Sequence, residues 1–434
     1  MVAVVGPPDS PHSGHHDADF RMQLVRSRGL PYTVPFDRNS VGGRMRACTR
    51  SLAVLLGISV ALIGCVASNH GANTIKIGWL GALTGDNADW GQSELNTIRM
   101  MLDDVDAHGG LGIAGKPYRL VLISYDDHGD ATAATDAAKR LTANDHVNAI
   151  VGPMFSREAI PVSQIIEAAA TPCIATTATN PAATVVNNRV NPYMFRACFI
   201  DPYQGQVAAT YAYRRLGKKT AAILVKVDDA YSLGLGEYFN ENFRWLGGKV
   251  LASVSYNGND VNFAPQLATI KAAQPDMIFA PVFDKDIALI AKQARRLGIN
   301  TVMMGGDGWP STNLLPMAGG ALEGCYYVNH LDFDDPAVKS YKDAYTAAFG
   351  KPPEMPGYLA HDAVLMLLDG LKRAQSLDGA TLAKALESCD IQGITGHIKI
   401  GKATHNPEGK EAAIIKIMGD KMLFQEKFAA ALQQ

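Results

Sequence analysis

From residue 74 onward, short apolar runs alternate with longer stretches in which apolar residues recur every three or four positions. The short runs are typical of buried β-strands, and the longer stretches are typical of amphipathic α-helices. The first strand is predicted at I-K-I-G-W-L-G (75–81), and the first helix is predicted over 94–107. Regular alternation of the two kinds of element predicts an α/β fold with doubly wound parallel sheets.

Two series of this kind follow one another along the chain. The first has further strands at 119–125, 148–152 and 172–176, with helices over 131–144 and from 156. In the second, strands are predicted at 221–227, 249–256, 276–283 and 301–306, with helices over 234–246, 263–273 and 287–297. The tail adds an apolar run at 323–328 and helices around 337–349 and 360–374. These tail elements must pack on one of the two series, so we expect two lobes that are discontinuous in sequence.

Composition agrees with this organisation and excludes one class of partner. The chain has 434 residues, 47% of them hydrophobic and 19% charged, which is enough for more than one core. Its formal net charge of -2 argues against nucleic acid as a partner, because nucleic-acid binders carry a concentrated basic excess.

The N-terminal region is predicted to carry an export signal. Arg46 and Arg50 precede the apolar stretch S-L-A-V-L-L-G-I-S-V-A-L-I-G, so residues 45–64 are predicted to be a signal peptide. The ending L-I-G-C resembles a bacterial lipobox, which implies diacylation of Cys65 and anchoring at the periplasmic or cell surface. Secretion with cleavage near 67–68 is the alternative. Residues 1–44 lack apolar periodicity and are predicted to be disordered, or to precede a true start at Met45.

Four cysteines follow this signal, at positions 173, 198, 325 and 389. In an exported protein they permit disulfides in three connectivities, while free buried thiols remain the other possibility. Their spacing does not match a zinc site. Phosphate-loop and dinucleotide-binding motifs are also missing from the sequence, so neither a metal nor a cofactor is predicted.

The stretch I-V-G-P-M-F-S-R-E (150–158) leads from a predicted strand into a helix at Ser156. Ser156 could be a nucleophile, a helix cap or a donor to a ligand. It lacks the G-x-S-x-G elbow of the α/β-hydrolases, and Arg157 beside it offers no base. Because the carboxyl end of a parallel sheet is where such folds bind ligands, we expect Ser156 to cap the helix and to meet a carboxylate.

Further polar positions occur at other strand ends. The stretch C-I-A-T-T-A-T-N-P places Thr177 and Thr179 after the next strand. In the second series, Tyr231, Phe283 and Asp307 follow strands in the same way. One lobe would then donate to an anion while Asp307 accepts from a cation, which suits a zwitterionic ligand.

At this point the sequence resembles a known family. The stretches I-K-I-G-W-L-G-A-L-T-G-D-N-A-D-W-G, L-D-D-V-D-A-H-G-G-L-G-I-A-G-K-P-Y-R-L and K-Q-A-R-R-L-G-I are similar to those of type I periplasmic solute-binding proteins of ABC importers, in the Leu/Ile/Val-binding branch. The resemblance covers essentially all of 74–428. It implies two Rossmann-like lobes joined by three hinge crossovers, with lobe 1 at 74–199 plus 330–412 and lobe 2 at 200–329 plus 413–434.

The resemblance also implies roles for individual residues. The ligand carboxylate would meet Ser156 and Thr179, and the amino group would meet the Thr177 carbonyl and Asp307. Asp307 is shorter than the family's usual glutamate, and Phe283 stands where a tyrosine is common. His128 and Phe155 replace the cysteines of the family's small-loop disulfide, and Phe155 would narrow the pocket. The predicted ligand-binding set is Trp90, Phe155, Ser156, Thr177, Ala178, Thr179, Tyr231, Phe283 and Asp307.

The function expected from the sequence is therefore binding and not catalysis. A monomeric, exported protein would capture a small aliphatic or aromatic amino acid and deliver it to the membrane subunits of an ABC permease. The alternatives are a related carboxylate, amide or urea as ligand and, in a different class, a serine-dependent amidase.

Overall fold

The computed structural model describes residues 73–428, so the predicted leader at 1–64 and the lipidation site Cys65 lie outside the described residues. The predicted alternation of strands and helices is confirmed within this range. The strands as far as residue 196 are β1 (Thr74–Gly81), β2 (Leu111–Ile113), β3 (Lys116–Asp126), β4 (Ala149–Val151), β5 (Cys173–Ala175), β6 (Val185–Val186), β7 (Arg189–Val190) and β8 (Met194–Arg196).

Six of these strands form the first sheet, in the order β2-β3-β1-β4-β5-β8, while β6 and β7 pair with each other. All neighbours from β3 to β8 are parallel, and β2 is antiparallel to β3. The sheet is buried on both faces, because Ile77 and Trp79 of β1 belong to one apolar cluster and Leu80 to another. The helices of this half are α1 (Ala88–Ala107), α2 (Ala131–Lys139) and α3 (Ser156–Ala168).

The second sheet has seven strands, in the order β10-β9-β11-β12-β13-β17-β18, and a small third sheet contains β14, β15 and β16. The strands concerned are β9 (Thr220–Lys226), β10 (Lys249–Tyr256), β11 (Met277–Phe279), β12 (Val302–Gly305), β13 (Tyr326–Asn329), β14 (Asp390–Gly393), β15 (Gly396–Ile400), β16 (Pro407–Glu408), β17 (Ala412–Met418) and β18 (Lys421–Phe428). The remaining helices are α4 (Asp201–Thr210), α5 (Ala230–Trp245), α6 (Ala264–Ala273), α7 (Asp284–Arg296), α8 (Leu314–Ala318), α9 (Pro336–Phe349), α10 (Met355–Ala374) and α11 (Gly379–Leu386).

The prediction of parallel sheets is right for the centre of this second sheet and wrong at its edge. The strands from β10 to β13 are parallel, but β17 is antiparallel to both of its neighbours. The turn between β17 and β18 is too short for the crossover that parallel strands need, so the two strands close the sheet as a hairpin.

The chain passes between the two large sheets three times. After β8 it continues into α4, which packs against α5 of the second sheet. After β13 it returns to the first sheet, where α10 packs against α1. It rejoins the second sheet at β17. The lobe limits given above, 74–199 with 330–412 and 200–329 with 413–434, stay a prediction.

All four cysteines of the described range are buried and free: Cys173, Cys198, Cys325 and Cys389. Of the two possibilities that the sequence left open, the structure therefore has the unpaired thiols.

Glu94 of α1 is a fully buried carboxyl group beneath the first sheet. It accepts a hydrogen bond from Trp79 Nε1 at 3.2 Å and another from the Thr176 hydroxyl. Burial raises the pKa of Glu94 from about 4.5 to about 8, against the effect of these two bonds. The carboxyl group is therefore protonated in the folded protein at neutral pH and ionised in the unfolded chain. The contribution of Glu94 to stability is fully present below pH 4.5 and is lost as the pH rises towards 8.

We predict that Glu94→Gln is more stable than the wild type at pH 8. At pH 4.5 the two proteins should have nearly the same free energy of unfolding, because glutamine has the shape of the protonated carboxyl group. The wild-type free energy of unfolding should fall by up to about 1.4 kcal/mol per pH unit more steeply than that of the variant. Urea unfolding between pH 4.5 and 8 measures both curves, with Glu237→Gln at an exposed position as the control. Parallel curves for wild type and Glu94→Gln would contradict the buried protonated state.

Candidate functional site

A narrow cavity lies between the carboxyl ends of the two large sheets. Its free volume of about 10 Å³ leaves room for about one water molecule, so its walls are nearly in contact in this conformation. Seven of the nine residues predicted from the sequence line it, and Ala178 and Thr179 do not. The lining residues are Trp90, Met154, Phe155, Ser156, Thr177, Tyr231, Phe283, Asp307, Gly308 and Met355.

The V-G-P-M-F-S turn brings the chain from β4 to this cavity. Gly152 has φ of +106°, and a Cβ atom there would lie 2.8 Å from the carbonyl oxygen of Leu80. Only glycine therefore allows the chain to pass so close to the end of β1. The turn places Met154, Phe155 and Ser156 together in the wall of the cavity.

The expectation that Ser156 caps α3 is wrong. The N-cap is Phe155, with an extended backbone, and Ser156 is the first helical residue. The Ser156 hydroxyl oxygen instead accepts a hydrogen bond from the backbone N–H of Asn180 at 3.1 Å. Its own proton is not used in that bond and can be donated to a ligand. The Glu158 N–H of the first helical turn already donates to the Phe155 carbonyl at 3.1 Å, which leaves the N–H groups of Ser156 and Arg157 to bind an anion.

The three residues after β5 divide between the cavity wall and the layer behind it. Thr177 reaches the cavity, and its hydroxyl donates to the Met154 carbonyl at 2.6 Å. The Ala178 carbonyl accepts from Arg196 Nη1 at 2.5 Å, and the Thr179 hydroxyl interacts with the carboxyl group of Asp201. Both of these partners are fully buried, so Ala178 and Thr179 support the wall from behind.

The opposite wall carries an acidic group and a phenol. Asp307 is 3% exposed, and its Oδ2 lies 2.8 Å from His330 Nε2. Its other oxygen, Oδ1, is buried without a hydrogen bond of good geometry. The Tyr231 hydroxyl accepts from the Gly308 N–H at 3.0 Å, and burial, reinforced by the charge of Asp307, raises the pKa of Tyr231 well above its ordinary value. Asp307 therefore offers one oxygen to a cationic group.

Three aromatic rings form the apolar side of the cavity. The ring centroid of Phe155 lies 6.2 Å from that of Trp90 and 5.3 Å from that of Phe283, and Trp90 lies 5.9 Å from Phe283. Two of the three contacts are edge-to-face, an arrangement that stabilises aromatic pairs. The three rings pack against one another and give this side of the cavity an apolar surface.

Arg157 connects the two sides of the cavity. Its Nε donates to the Gly129 carbonyl at 2.7 Å, and its guanidinium lies 4.2 Å from the ring centre of Phe155. Its Nη1 lies 2.8 Å from Oδ2 of Asp229, the N-cap of α5, whose side chain is 3% exposed. A second contact between the sheets joins the Thr312 N–H to Glu354 Oε2 at 2.9 Å.

Several of these residues escaped sequence reasoning. Met154, Gly308 and Met355 line the cavity, but apolar and glycine positions carry no chemical signal of their own. From the sequence, Arg157 was considered only as a possible base beside Ser156, and His330 stands in no motif. Their partners Asp229 and Asp307 are 72 and 23 residues distant in sequence, so only the fold reveals the contacts.

The amidase alternative finds no support in the geometry. The hydrogen-bond partner of the Ser156 hydroxyl is a backbone N–H, and in the structure from 73 to 428 that hydroxyl is not hydrogen-bonded to a histidine. The same part of the chain contains no group of three histidine, cysteine, aspartate or glutamate side chains that could hold a metal ion. None of its helices is long and apolar enough to span a membrane.

Two α/β sheets that enclose a polar cavity at their strand ends define a two-lobed ligand-binding protein. The chain belongs to the periplasmic binding protein family, whose model matches residues 74–418. The leucine-specific-binding protein of Salmonella typhimurium is 27% identical over 351 residues, which cover 81% of this chain and 92% of that protein. The Leu/Ile/Val-binding resemblance is thereby confirmed, and the protein is a solute-binding component of the ABC-transporter type and not an enzyme.

Solved structures agree with this assignment. The crystal structure of a leucine binding protein from Thermotoga maritima has a TM-score of 0.74 and 28% identity, covering 82% of this chain and 99% of that one. A solute-binding protein from Rhodopseudomonas palustris in complex with benzoate has a TM-score of 0.73 and 21% identity, covering 83% and 98%. The second likeness establishes the fold alone.

Proposed function

We propose that this protein captures a small α-amino acid, with a branched-chain, other aliphatic or aromatic side chain, and delivers it to an ABC permease. The observation that carries the proposal is the placement of Ser156 and Asp307 on opposite walls of one small cavity. A buried zwitterion needs both of its charges paired, because an unpaired buried charge is very costly. A donor on one wall and an acceptor on the other supply that pairing.

In this proposal the ligand carboxylate accepts from the Ser156 hydroxyl and from the first turn of α3. The ammonium group donates to Asp307 Oδ1 and to the Thr177 carbonyl, while the side chain lies among the rings of Trp90, Phe155 and Phe283. Charge-assisted hydrogen bonds are the strong kind. Micromolar affinity requires about 8 kcal/mol net, which a few such bonds and apolar burial can supply.

The two contacts between the sheets support a closed state that traps the ligand. The Arg157–Asp229 ion pair and the Thr312–Glu354 hydrogen bond both join the proposed lobe 1 to lobe 2. We propose that they form as the lobes close about the crossovers near 199–201, 327–330 and 412–414, as in other hinge-bending binding proteins. The protein acts as a monomer in this scheme.

An aromatic carboxylate is the second candidate ligand. The wall of three aromatic rings favours it, because an aromatic ligand could pack against those rings. Amides and urea are further alternative ligands, because each could accept from Ser156 on one wall and donate to Asp307 on the other.

A thermal-shift screen tests the proposal. A ligand that binds only the folded state raises the melting temperature, by an amount that grows with concentration. The panel contains amino acids, their keto acids, aromatic acids, amides and urea. The expected result is a shift with one or more α-amino acids that Ser156→Ala reduces and the exposed control Asp420→Asn does not. A shift with aromatic acids alone would replace the first candidate by the second.

We also propose export with a lipid anchor at Cys65, which rests on the lipobox-like sequence L-I-G-C. Two acyl chains would hold the protein stably at the membrane surface. Expression in a bacterial host with radiolabelled palmitate should label the wild type, and Cys65→Ser should abolish the label. A labelled Cys65→Ser variant, or an unlabelled wild type, would contradict the anchor.

A further inference from the structure

His330 lies directly behind the acidic group of the cavity, next to the end of β13. It is 2% exposed, and its ring stacks on Phe199 with 3.7 Å between ring centroids. Its Nε2 lies 2.8 Å from Asp307 Oδ2. The ligand contacts proposed above give this histidine no role.

The hydrogen bonds of the ring define where its proton is. A carboxylate oxygen can only accept, so the contact with Asp307 requires a proton on Nε2. The other nitrogen, Nδ1, is buried and makes no hydrogen bond within residues 73–428, so nothing there holds a second proton. Burial also lowers the pKa of His330, against the opposing effect of Asp307. The ring is accordingly the neutral Nε2–H form.

Because the His330 ring is neutral, the negative charge of Asp307 is not cancelled. An imidazolium would cancel the charge of Asp307 and leave a neutral pair facing the cavity. A neutral imidazole occupies Oδ2 and fixes the orientation of the carboxylate, but it leaves the negative charge available at Oδ1. The Tyr231 hydroxyl accepts from the Gly308 N–H and keeps its own proton, which Asp307 can accept. A carboxylate oxygen has two lone pairs, so Oδ1 can accept from Tyr231 and from a ligand ammonium group together.

We propose that His330 is a positioning residue for ligand recognition, which holds Asp307 so that Oδ1 accepts from a ligand ammonium group. Because His330 orients Asp307, the site binds an α-amino acid more tightly than the corresponding acid that lacks the amino group. The inference rests on the proposed function, and it adds a residue that does not line the cavity.

Two variants separate this role from mere packing. His330→Phe keeps a ring against Phe199 but removes the donor, whereas His330→Gln places an amide N–H near the position of Nε2. The probes are L-leucine with 4-methylpentanoate and L-phenylalanine with 3-phenylpropanoate, titrated by calorimetry. His330→Phe should weaken binding of the amino acid about tenfold or more, because Asp307 is no longer held with Oδ1 towards the ammonium group and their charge-assisted bond is weakened. The deaminated acid should change much less, and His330→Gln should recover part of the loss.

Equal weakening of the amino acid and the acid by His330→Phe would show a packing role and overturn the inference, as would no change in either. A measurement on the wild type does not depend on whether the variants fold. Long-range ¹H–¹⁵N spectra of the histidine rings should show His330 as the neutral Nε2–H tautomer near pH 7, with the signals assigned through the close contact of its ring with Phe199. An imidazolium or an Nδ1–H tautomer would also overturn it. If the wild type binds neither amino acid, the proposed function fails, while the tautomer still tests the contact with Asp307.

Discussion

Replacing Asp307 with asparagine is expected to weaken binding of an α-amino acid by about 100-fold or more. The loss of a buried charge partner costs about 3–5 kcal/mol, because the remaining charge stays buried without compensation. In Asp307→Asn the His330 Nε2–H can still donate to the amide oxygen, so the other amide atom facing the ligand is an NH₂ group. Two donor groups would then face each other where the ammonium group binds. Calorimetric titration with L-leucine or L-phenylalanine measures the change.

The deaminated analogues provide the matched comparison for this prediction. Binding of 4-methylpentanoate or 3-phenylpropanoate should be little changed by Asp307→Asn, because neither has an ammonium group. Asp420→Asn, which removes an exposed carboxylate from the β17–β18 turn, should leave all four affinities unchanged. A similar loss for the amino acid and its deaminated analogue would contradict the role given to Asp307.

Replacing Arg157 with methionine is expected to speed the release of L-leucine about tenfold or more. The substitution leaves the Asp229 carboxylate, with its side chain 3% exposed, without its cation in the closed state. Breaking a fully buried pair costs about 3–5 kcal/mol, but Arg157 keeps 23% of its side chain exposed, so the effect is reduced by solvent. Stopped-flow measurement of the dissociation rate detects the change directly.

The double variant Arg157→Met with Asp229→Asn is the control for this experiment. It removes the unpaired carboxylate, so it should release the ligand more slowly than Arg157→Met alone. With Asp229→Asn measured as the second single variant, the complete cycle gives the coupling between the two side chains. Asp229 also accepts from the Ser232 N–H at the start of α5, a bond that asparagine preserves. Identical release rates in wild type and Arg157→Met would rule out a part for this ion pair in closure.

The sequence was informative wherever a local pattern decides the structure. The apolar runs predicted the central strands, and their alternation with helices predicted the two sheets. The start of α3 at Ser156 was also predicted correctly, because the polar turn and the helical period meet there. The polar residues after β4, β9 and β12 were expected at one site for a general reason, since the carboxyl ends of parallel strands share one edge.

The predictions made from the sequence failed where the role of a residue depends on contacts between distant parts of the chain. Ser156 is not a cap because the Asn180 N–H occupies its oxygen, and that donor arrives from the loop after β5. Thr179 sits behind the wall, where its buried hydroxyl lies near the carboxyl group of Asp201, which starts α4. Arg157 and His330 are ordinary residues in the sequence. Their importance depends on Asp229 and Asp307, which only the folded chain brings within 2.8 Å.

The central claim is that the cavity recognises a zwitterion through opposed donor and acceptor walls. Calorimetric titration of the wild-type protein with matched ligands tests it most directly: L-leucine, 4-methylpentanoate and 3-methylbutylamine, and the corresponding series from L-phenylalanine. The account predicts that at least one amino acid binds with a Kd in the micromolar range, and that its acid and its amine each bind at least about 100-fold more weakly. Binding of an acid as tight as that of its amino acid, or no binding of either amino acid, would contradict the account.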